Sequence, residues 1–554
     1  MILSFGSVVI SILAFVFALG LIILIHEGGH FFFARKANIL CREYAFGMGP
    51  LLWKKKKGET LYSLRAFPIG GFCAIAGEEV EEDPLRELKK IKLVIENGIV
   101  KKIVCNDENN LLAHLKTYDL ISYDLFDAND TGKLFIKVMD GEQEIEFPVD
   151  PQALYVFVKP VKNTSLPKEK QIEKYTEEIQ IAPHNRTLNA KNKRQRAMVM
   201  FGGPLMNFVL AIFMFFFAAL ILGFSDTSST VLGEISSDAP AYVAGLQEGD
   251  KILELWTDTN KSGTLTTWDT LSDFMDKYSQ PTDSSNVINV KYERDGKEYT
   301  TTIKPMVIIY SISMVQDITS DEVKIAELDS ASLAYEGGLR TGDIIQAIKY
   351  AKEGSEYVSV SSWKDVYNIF TENEAGDEMT LKVLRDGKEE ECTVDPYSRQ
   401  LFLDTQSVDI TTIIMGVSPQ TKFHFGKSLI YPFTEFWASL KNMVLTLKHL
   451  FTGSVGVQNL SGPVGIFSLT SQAASQGFGT LLNFIGFLSV NVGFMNLLPI
   501  PALDGGRLVF LAYEAITKKK PNQKVETALI TITMLLLFGL IIFVSFNDIL
   551  RMFK

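Results

Sequence analysis

The amino-acid sequence predicts a multi-pass α-helical membrane protein, with four transmembrane helices, two extracytoplasmic β-rich domains and a cytoplasmic β-containing insert. Three observations predict it. Four long apolar stretches carry no charge, an internal repeat of alternating segments lies between the second and third, and basic residues gather on one set of loops. The chain has 554 residues, 47% of them hydrophobic, which suggests several units rather than one core.

The apolar stretches are residues 8–25, 198–224, about 478–503 and 528–546, the third interrupted by Asn483, Asn491 and Asn496. Each reaches or exceeds the ~18–20 residues a membrane helix needs. The first does not read as a cleaved signal. No Lys or Arg precedes Val8, and His26 and Glu27 stand where a cleavage region would fall.

Flanking basic residues orient the spans. Arg35, Lys36, Arg42, Lys54 to Lys57 and Arg65 follow the first helix, and Lys191, Lys193, Arg194 and Arg196 precede the second. Arg507, Lys518, Lys519, Lys520 and Lys524 lie between the third and fourth, and no basic residue precedes the first. The loops after odd-numbered helices are therefore expected in the cytoplasm, with the N-terminus and residues 225–425 outside. The formal net charge of −11 argues against a nucleic-acid partner. Cys41, Cys73 and Cys105 fall on the reducing side and Cys392 stands alone outside, so no disulfide is expected.

The outer segment repeats itself. "VLGEISSDAPAYVAGLQEGDKILEL" from Val231 aligns with "KIAELDSASLAYEGGLRTGDIIQAI" from Lys324, matching Gly245, Gly249 and Asp250 to Gly338, Gly342 and Asp343. Trp268 then has Trp363 as its counterpart, and each copy closes on an Asp-Gly hairpin signal, "ERDGKEYTTTIKP" and "LRDGKEEECTVDP". Two small β-rich units with one helix after each GLxxGD loop resemble PDZ domains. The polar stretch from about residue 78 to 191, with pieces such as "KLFIKVMDGEQEIEFPV", reads as the inserted domain. "GKSLIYPFTEFWASLKNMVLTLKHLF" has helical apolar spacing and predicts an amphipathic helix on the membrane or against the repeats. "NLSGPVGIFSL" is expected as a loop entering the third span.

Chemistry concentrates at the end of the first span, in "LIHEGGHFFF". His26 and His30, four apart, project from one helix face and can share an ion, with Glu27 beside them. This HExxH arrangement suits a zinc ion held by two imidazoles with a carboxylate as proton shuttle. Ionisable groups at membrane depth need such compensation. Gly28 and Gly29 each cost a helix ~1 kcal/mol against Ala, which the close approach of another backbone would explain. A third protein ligand is required. His114 and His184 lie in the insert, and His424 and His449 flank or end the amphipathic helix. Asp504 in "NLLPIPALDGGR" is the better candidate. Pro499, Pro501, Gly505 and Gly506 make its backbone irregular, which survives in a membrane only against protein or a water-filled cavity.

HEGGH ending a span, Asn496-x-x-Pro499 with Leu503-Asp504-Gly505 in a later one, and the outward PDZ-like units together resemble site-2 proteases of the bacterial RseP/RasP type. "FGMGPLLW", "FPIGGFCAIAG", "QRAMVMFGGPLMNF" and "NLSGPVGIF" match as well, and "IQIAPHNRTLNAKNKRQRAM" looks like the Gram-positive branch. Gly28 replaces a phenylalanine usual in that family, and Ala74 a lysine, departures that bear on substrate preference rather than on the metal.

The resemblance implies a zinc-dependent intramembrane endopeptidase of a bacterial cell membrane, working near the cytoplasmic face. Its partners would be the lipid bilayer and single-span substrates, either anti-sigma factors already cut outside or leftover signal peptides. It implies His26, His30 and Asp504 as zinc ligands, Glu27 as the base and Asn496 as a substrate contact. A strand around Gly70 and Gly71 ("IGGFCAIA") would hold the substrate extended by strand addition. The GLxxGD loops (Gly245 and Asp250, Gly338 and Asp343) would take a new carboxyl terminus on their amides, or the units would act as a bulky filter.

Expected boundaries are 1–77 for the first helix and a membrane-associated hairpin, 78–196 for the insert and 197–225 for the second helix. The PDZ-like units follow at 226–310 and 318–398, then the amphipathic helix and loop at 424–476 and the last two spans at 477–554. A membrane PDZ scaffold or chaperone with a structural metal site is the competing reading, but scaffolding gives Glu27 no task. A metal transporter would want more intramembrane ligands than one cluster.

Overall fold

A computed structural model describes residues 5–78, 83–107, 110–127, 131–160, 167–283, 285–326, 328–352, 354–405, 408–453 and 460–553. Four of the described helices are long and apolar enough to cross a membrane. They are Phe5–Lys36, Lys193–Leu222, Phe478–Leu497 and Gln523–Phe553. The first outruns its apolar core, so His26 and His30 sit inside a continuous helix. The third stops at Leu497, short of the expected 503, because Pro499 and Pro501 cannot continue it. A separate helix, Asp504–Thr517, begins just beyond.

The "PVGIFSL" part of the expected loop is instead in a helix, Pro463–Ser475. Proline suits a first helical position. The buried Asp548 carboxylate accepts from the Gly462 and Gly465 amides at 2.8 and 2.9 Å, satisfying donors that a helix start leaves free. Asn459, which opens that quoted motif, lies outside the described residues.

The chain divides into two compact units, residues 1–213, 470–475 and 484–538, and residues 214–469, 476–483 and 539–554. In the first, strands β1 (Cys41–Lys57) and β2 (Thr60–Ile75) form an antiparallel hairpin that pairs with no other described strand. Tyr44 of β1 donates to the Leu24 carbonyl at 2.6 Å, tying the hairpin to the first helix.

The insert in this unit is a six-stranded sheet built from Lys90–Glu96, Ile99–Asn106, Thr117–Asp124, Phe135–Asp140, Gln143–Val158 and Thr176–Gln180. Parallel pairing of Ile99–Asn106 with Gln143–Val158 closes it back on itself around Leu93, Ile103, Ile136, Val138 and Val149.

The second unit carries both repeat copies. Lys251–Trp256, Ile288–Arg294 and Lys297–Ile303 make one sheet, with helix Trp268–Ser279. Ile344–Tyr350, Met379–Arg385 and Lys388–Val394 repeat it, with helix Trp363–Glu372 and a short fourth strand, Val358–Ser359. Both hairpins turn on Asp-Gly pairs with positive φ, 51° and 75° at Asp295-Gly296 and 49° and 78° at Asp386-Gly387. These are the backbone signs of the turn that the dipeptide favours. The amphipathic segment is a helix, Phe425–Thr452.

The GLxxGD loops are braced by hydrogen bonds within each copy. The amides of Gly245 and Leu246 donate to Tyr242 and Ala241, and those of Gly338 and Leu339 to Tyr335 and Ala334. Asp250 and Asp343, both about 1% exposed, accept from the Gln247 and Arg340 amides at 2.8 Å. Each carboxylate also holds an arginine, Arg294 at 2.7 Å and Arg385 at 2.6 Å, whose guanidinium reaches the Gly245 or Gly338 carbonyl at 2.8 Å. Gly245 and Asp250, and likewise Gly338 and Asp343, therefore take part in a turn braced within each copy. The carboxylate beside Arg385 raises that guanidinium above its ordinary range.

Asp250→Ala should destabilise the first copy by on the order of 2–3 kcal/mol, since it strands a charge partner and a loop amide. Pulse proteolysis of the full chain in detergent checks this, with cleavage expected between residues 226 and 310 at lower urea than in wild type. An unchanged profile would remove the brace from the loop's stability.

Candidate metal centre

Three helices bring the centre together inside the first unit. His26 and His30 lie one turn apart on the first membrane helix, and their Nε2 atoms are 3.3 Å apart. Asp504 enters from the start of helix Asp504–Thr517, its Oδ2 3.2 Å from His26 Nε2 and 3.4 Å from His30 Nε2. Among the described residues this is the one group of His, Cys, Asp or Glu whose ligand atoms converge for a metal.

Glycines make the convergence possible. A Cβ on Gly29 would lie 2.1 Å from the Gly202 carbonyl oxygen of the second membrane helix, so the two backbones touch there. Gly28 instead faces the Tyr44 hydroxyl, 3.4 Å from where its Cβ would be. A Cβ on Gly203 would lie 2.3 Å from His30 Nε2, so the second helix can pass the imidazoles only as glycine. Gly505 and Gly506 let the helix bearing Asp504 press on the turn before it, where added Cβ atoms would come within 2.2 Å of the Leu498 and Ile500 carbonyls.

The donor set fits zinc. A tetrahedral ion with bonds of about 2.0–2.1 Å spaces its ligand atoms about 3.3–3.4 Å apart. The triangle has edges of 3.2, 3.3 and 3.4 Å. His30 Nδ1 lies 2.8 Å from the Val199 carbonyl oxygen, which only an N–H can satisfy, so a neutral His30 presents a lone pair at Nε2. Two imidazole lone pairs and a carboxylate oxygen repel at this spacing unless a cation sits among them.

The triangle opens on a cavity of about 520 Å³, lined also by Glu27, Asn496, Arg507 and residues 72–75 of β2. Gly70 has φ +90°, and Gly71 lies so close to the first helix that its Cβ would be 3.0 Å from Ile23 and 3.5 Å from Glu27. The strand thus passes close by Glu27, and along residues 72–75 its edge away from β1 is unpaired among the described strands.

Asn207 escaped the sequence reading. It is fully buried, its Nδ2 is 3.1 Å from His26 Nδ1, and it belongs to the second membrane helix. A lone amide in an uncharged span was the available signal. Arg507, one turn after Asp504, ion-pairs with Glu78 at the cavity wall, a contact between distant positions that spacing cannot foretell.

Comparison with known proteins agrees with this geometry. A profile described as "Peptidase family M50" matches residues 14–540. "Zinc metalloprotease RasP" of Shouchella clausii is 29% identical over 553 residues, 98% of this chain and 100% of the relative. The proteins of the same name from Geobacillus kaustophilus and Oceanobacillus iheyensis are each 28% identical. They cover 98% of this chain, and 98% and 99% of their own lengths. With the match running almost from end to end, the chain belongs to peptidase family M50, the zinc-dependent site-2 protease type of membrane enzyme.

Proposed function

We propose that this enzyme cuts transmembrane segments of single-span proteins, of the anti-sigma-factor or leftover signal-peptide kind, in a bacterial cell membrane. The observation that carries the reading is the ligand triangle beside Glu27, opening on a cavity whose wall is an unpaired strand edge. His26, His30 and Asp504 would hold the zinc. Zinc bound there supplies Lewis acidity toward the scissile carbonyl and the attacking water.

The chain's own groups do the rest. Glu27, next to His26 on the helix, takes a proton from the water as its oxygen bonds to the carbonyl carbon. It then delivers that proton to the amide nitrogen as the C–N bond breaks, leaving a carboxylate and an amine. A substrate helix hides its amides, so it must unwind to react. The free edge of β2 at residues 72–75 offers main-chain partners to an extended substrate. Asn496, which lines the same cavity, would hydrogen-bond the substrate backbone.

The repeats at 226–310 and 318–398 belong to the reading as PDZ-like units. Most of their GLxxGD amides donate within the same copy, which favours a bulky filter against large ectodomains over capture of a carboxyl terminus. The basic residues support an outside N-terminus and repeats, with the metal centre near the cytoplasmic face.

Glu27→Gln should keep zinc near the wild-type level while cleavage of a model transmembrane substrate falls ~10²–10⁴-fold. Cleavage retained within a few-fold would show that Glu27 is not the base. Asp504→Ala should lose most of the zinc, and metal analysis of the purified variant reads that directly.

Topology has its own test in intact cells with an impermeant thiol reagent. Cys392 is buried, so the outer probe is better placed at the exposed Lys388. Lys388→Cys should label from outside and Lys55→Cys should not. The opposite pattern would invert the arrangement.

A further inference from the structure

We infer that Asn207 is a positioning residue for the metal centre: its side-chain amide holds the His26 proton on Nδ1 and so turns the Nε2 lone pair toward the zinc position. The inference rests on His26, His30 and Asp504 being the ligands. A neutral imidazole carries one proton, and a histidine that binds metal through Nε2 must keep it on Nδ1. That N–H then needs an acceptor.

His30 has one in the Val199 carbonyl, 2.8 Å away. For His26 the group at Nδ1 is the Asn207 amide, 3.1 Å away. Asn207 is fully buried, and its Oδ1 has no hydrogen-bond partner among the described residues. Amide oxygen and nitrogen are nearly the same in shape. A half-turn about the terminal torsion therefore brings Oδ1 to His26 Nδ1 without moving the backbone.

The backbone that carries the amide is also held. Ser489 of the third membrane helix, itself fully buried, donates to the Asn207 main-chain carbonyl at 2.8 Å. Gly203, one helical turn earlier, is the residue that lies against both imidazoles. The second helix therefore does two things to the same pair of rings. It lets them approach through a glycine, and it orients one through an amide and the other through a carbonyl. A buried amide serving only to pack would be matched or bettered by Leu, which carries no unpaired polar atoms.

The test uses the full chain in detergent, stripped of metal, with zinc affinity measured by competition against a fluorescent chelator. Asn207→Leu keeps the bulk and removes the acceptor, and should weaken zinc binding roughly 10–100-fold, the usual cost of losing such a partner. Asn207→Asp keeps an acceptor and should bind zinc within a few-fold of wild type. Thermal unfolding of the metal-free proteins should stay alike for both, which separates an effect on the ligand from loss of fold. Equal affinity in Asn207→Leu and wild type, or equal weakening in Leu and Asp variants, would overturn the inference. His26→Ala distinguishes the two layers of the argument. Zinc lost in His26→Ala but kept in Asn207→Leu would sink the role of Asn207 alone. Zinc kept in His26→Ala would sink the ligand assignment, and this inference with it.

Discussion

Two imidazoles and a carboxylate meeting at 3.2–3.4 Å are the constraint on which the first unit is built. Such a meeting is unfavourable without a cation, and in apolar surroundings unpaired polar groups are costlier still. Satisfying it demands that three helices approach more closely than ordinary side chains allow. The small residues are found where that demand is greatest, at Gly29 against Gly202, at Gly203 against the histidines, and at Gly505 and Gly506 beneath Asp504. Glycine's low helix propensity, ~1 kcal/mol against Ala, is the smaller cost beside a backbone clash.

The break before Asp504 follows from the same demand. A membrane helix continued past Leu497 would carry Asp504 on whichever face its period dictated. Pro499 and Pro501 end the helix, and the new one starts with Asp504 in its first turn, where the helix dipole favours a negative charge. The irregular backbone at residues 502–504 lines the cavity, the kind of setting in which a membrane protein tolerates it. The hairpin of β1 and β2 uses the opposite device. It keeps extended, though bulged, strand backbone and leaves the edge of residues 72–75 unpaired among the described strands, beside the cavity that Glu27 lines.

The repeat copies show how one motif builds the same internal brace twice. GLxxGD correctly marks two equivalent turns, each with a glycine at positive φ, 85° at Gly245 and 95° at Gly338. The aspartate that follows has an arginine partner 44 residues on in one copy and 42 in the other, at the end of the penultimate strand. That pairing converts an apparently available carboxylate into a buried brace. Most of the loop amides donate within the same copy, Gly249 and Gly342 to the Leu232 and Ile325 carbonyls.

By itself the sequence determined the elements governed by local chemistry. Apolar length marked four spans, Asp-Gly pairs marked both hairpins, and the spacing of His26 and His30 placed them on one helix face. Asp504 was legible because an ion needs a third ligand and the prolines and glycines around it announced a break. What only the tertiary structure decided were contacts between residues far apart in the chain. Asn207 reads as an incidental polar residue in an apolar helix until the fold sets it 181 positions back against His26. Arg507 and Glu78, 429 positions apart, meet at the cavity wall for the same reason. The end of the third span and the helix Pro463–Ser475 also departed from the apolar pattern, since a proline can stop one helix and start another. Local preference sets which segments become helix or strand, whereas which lone polar group faces which depends on how those segments pack, and periodicity carries no record of that.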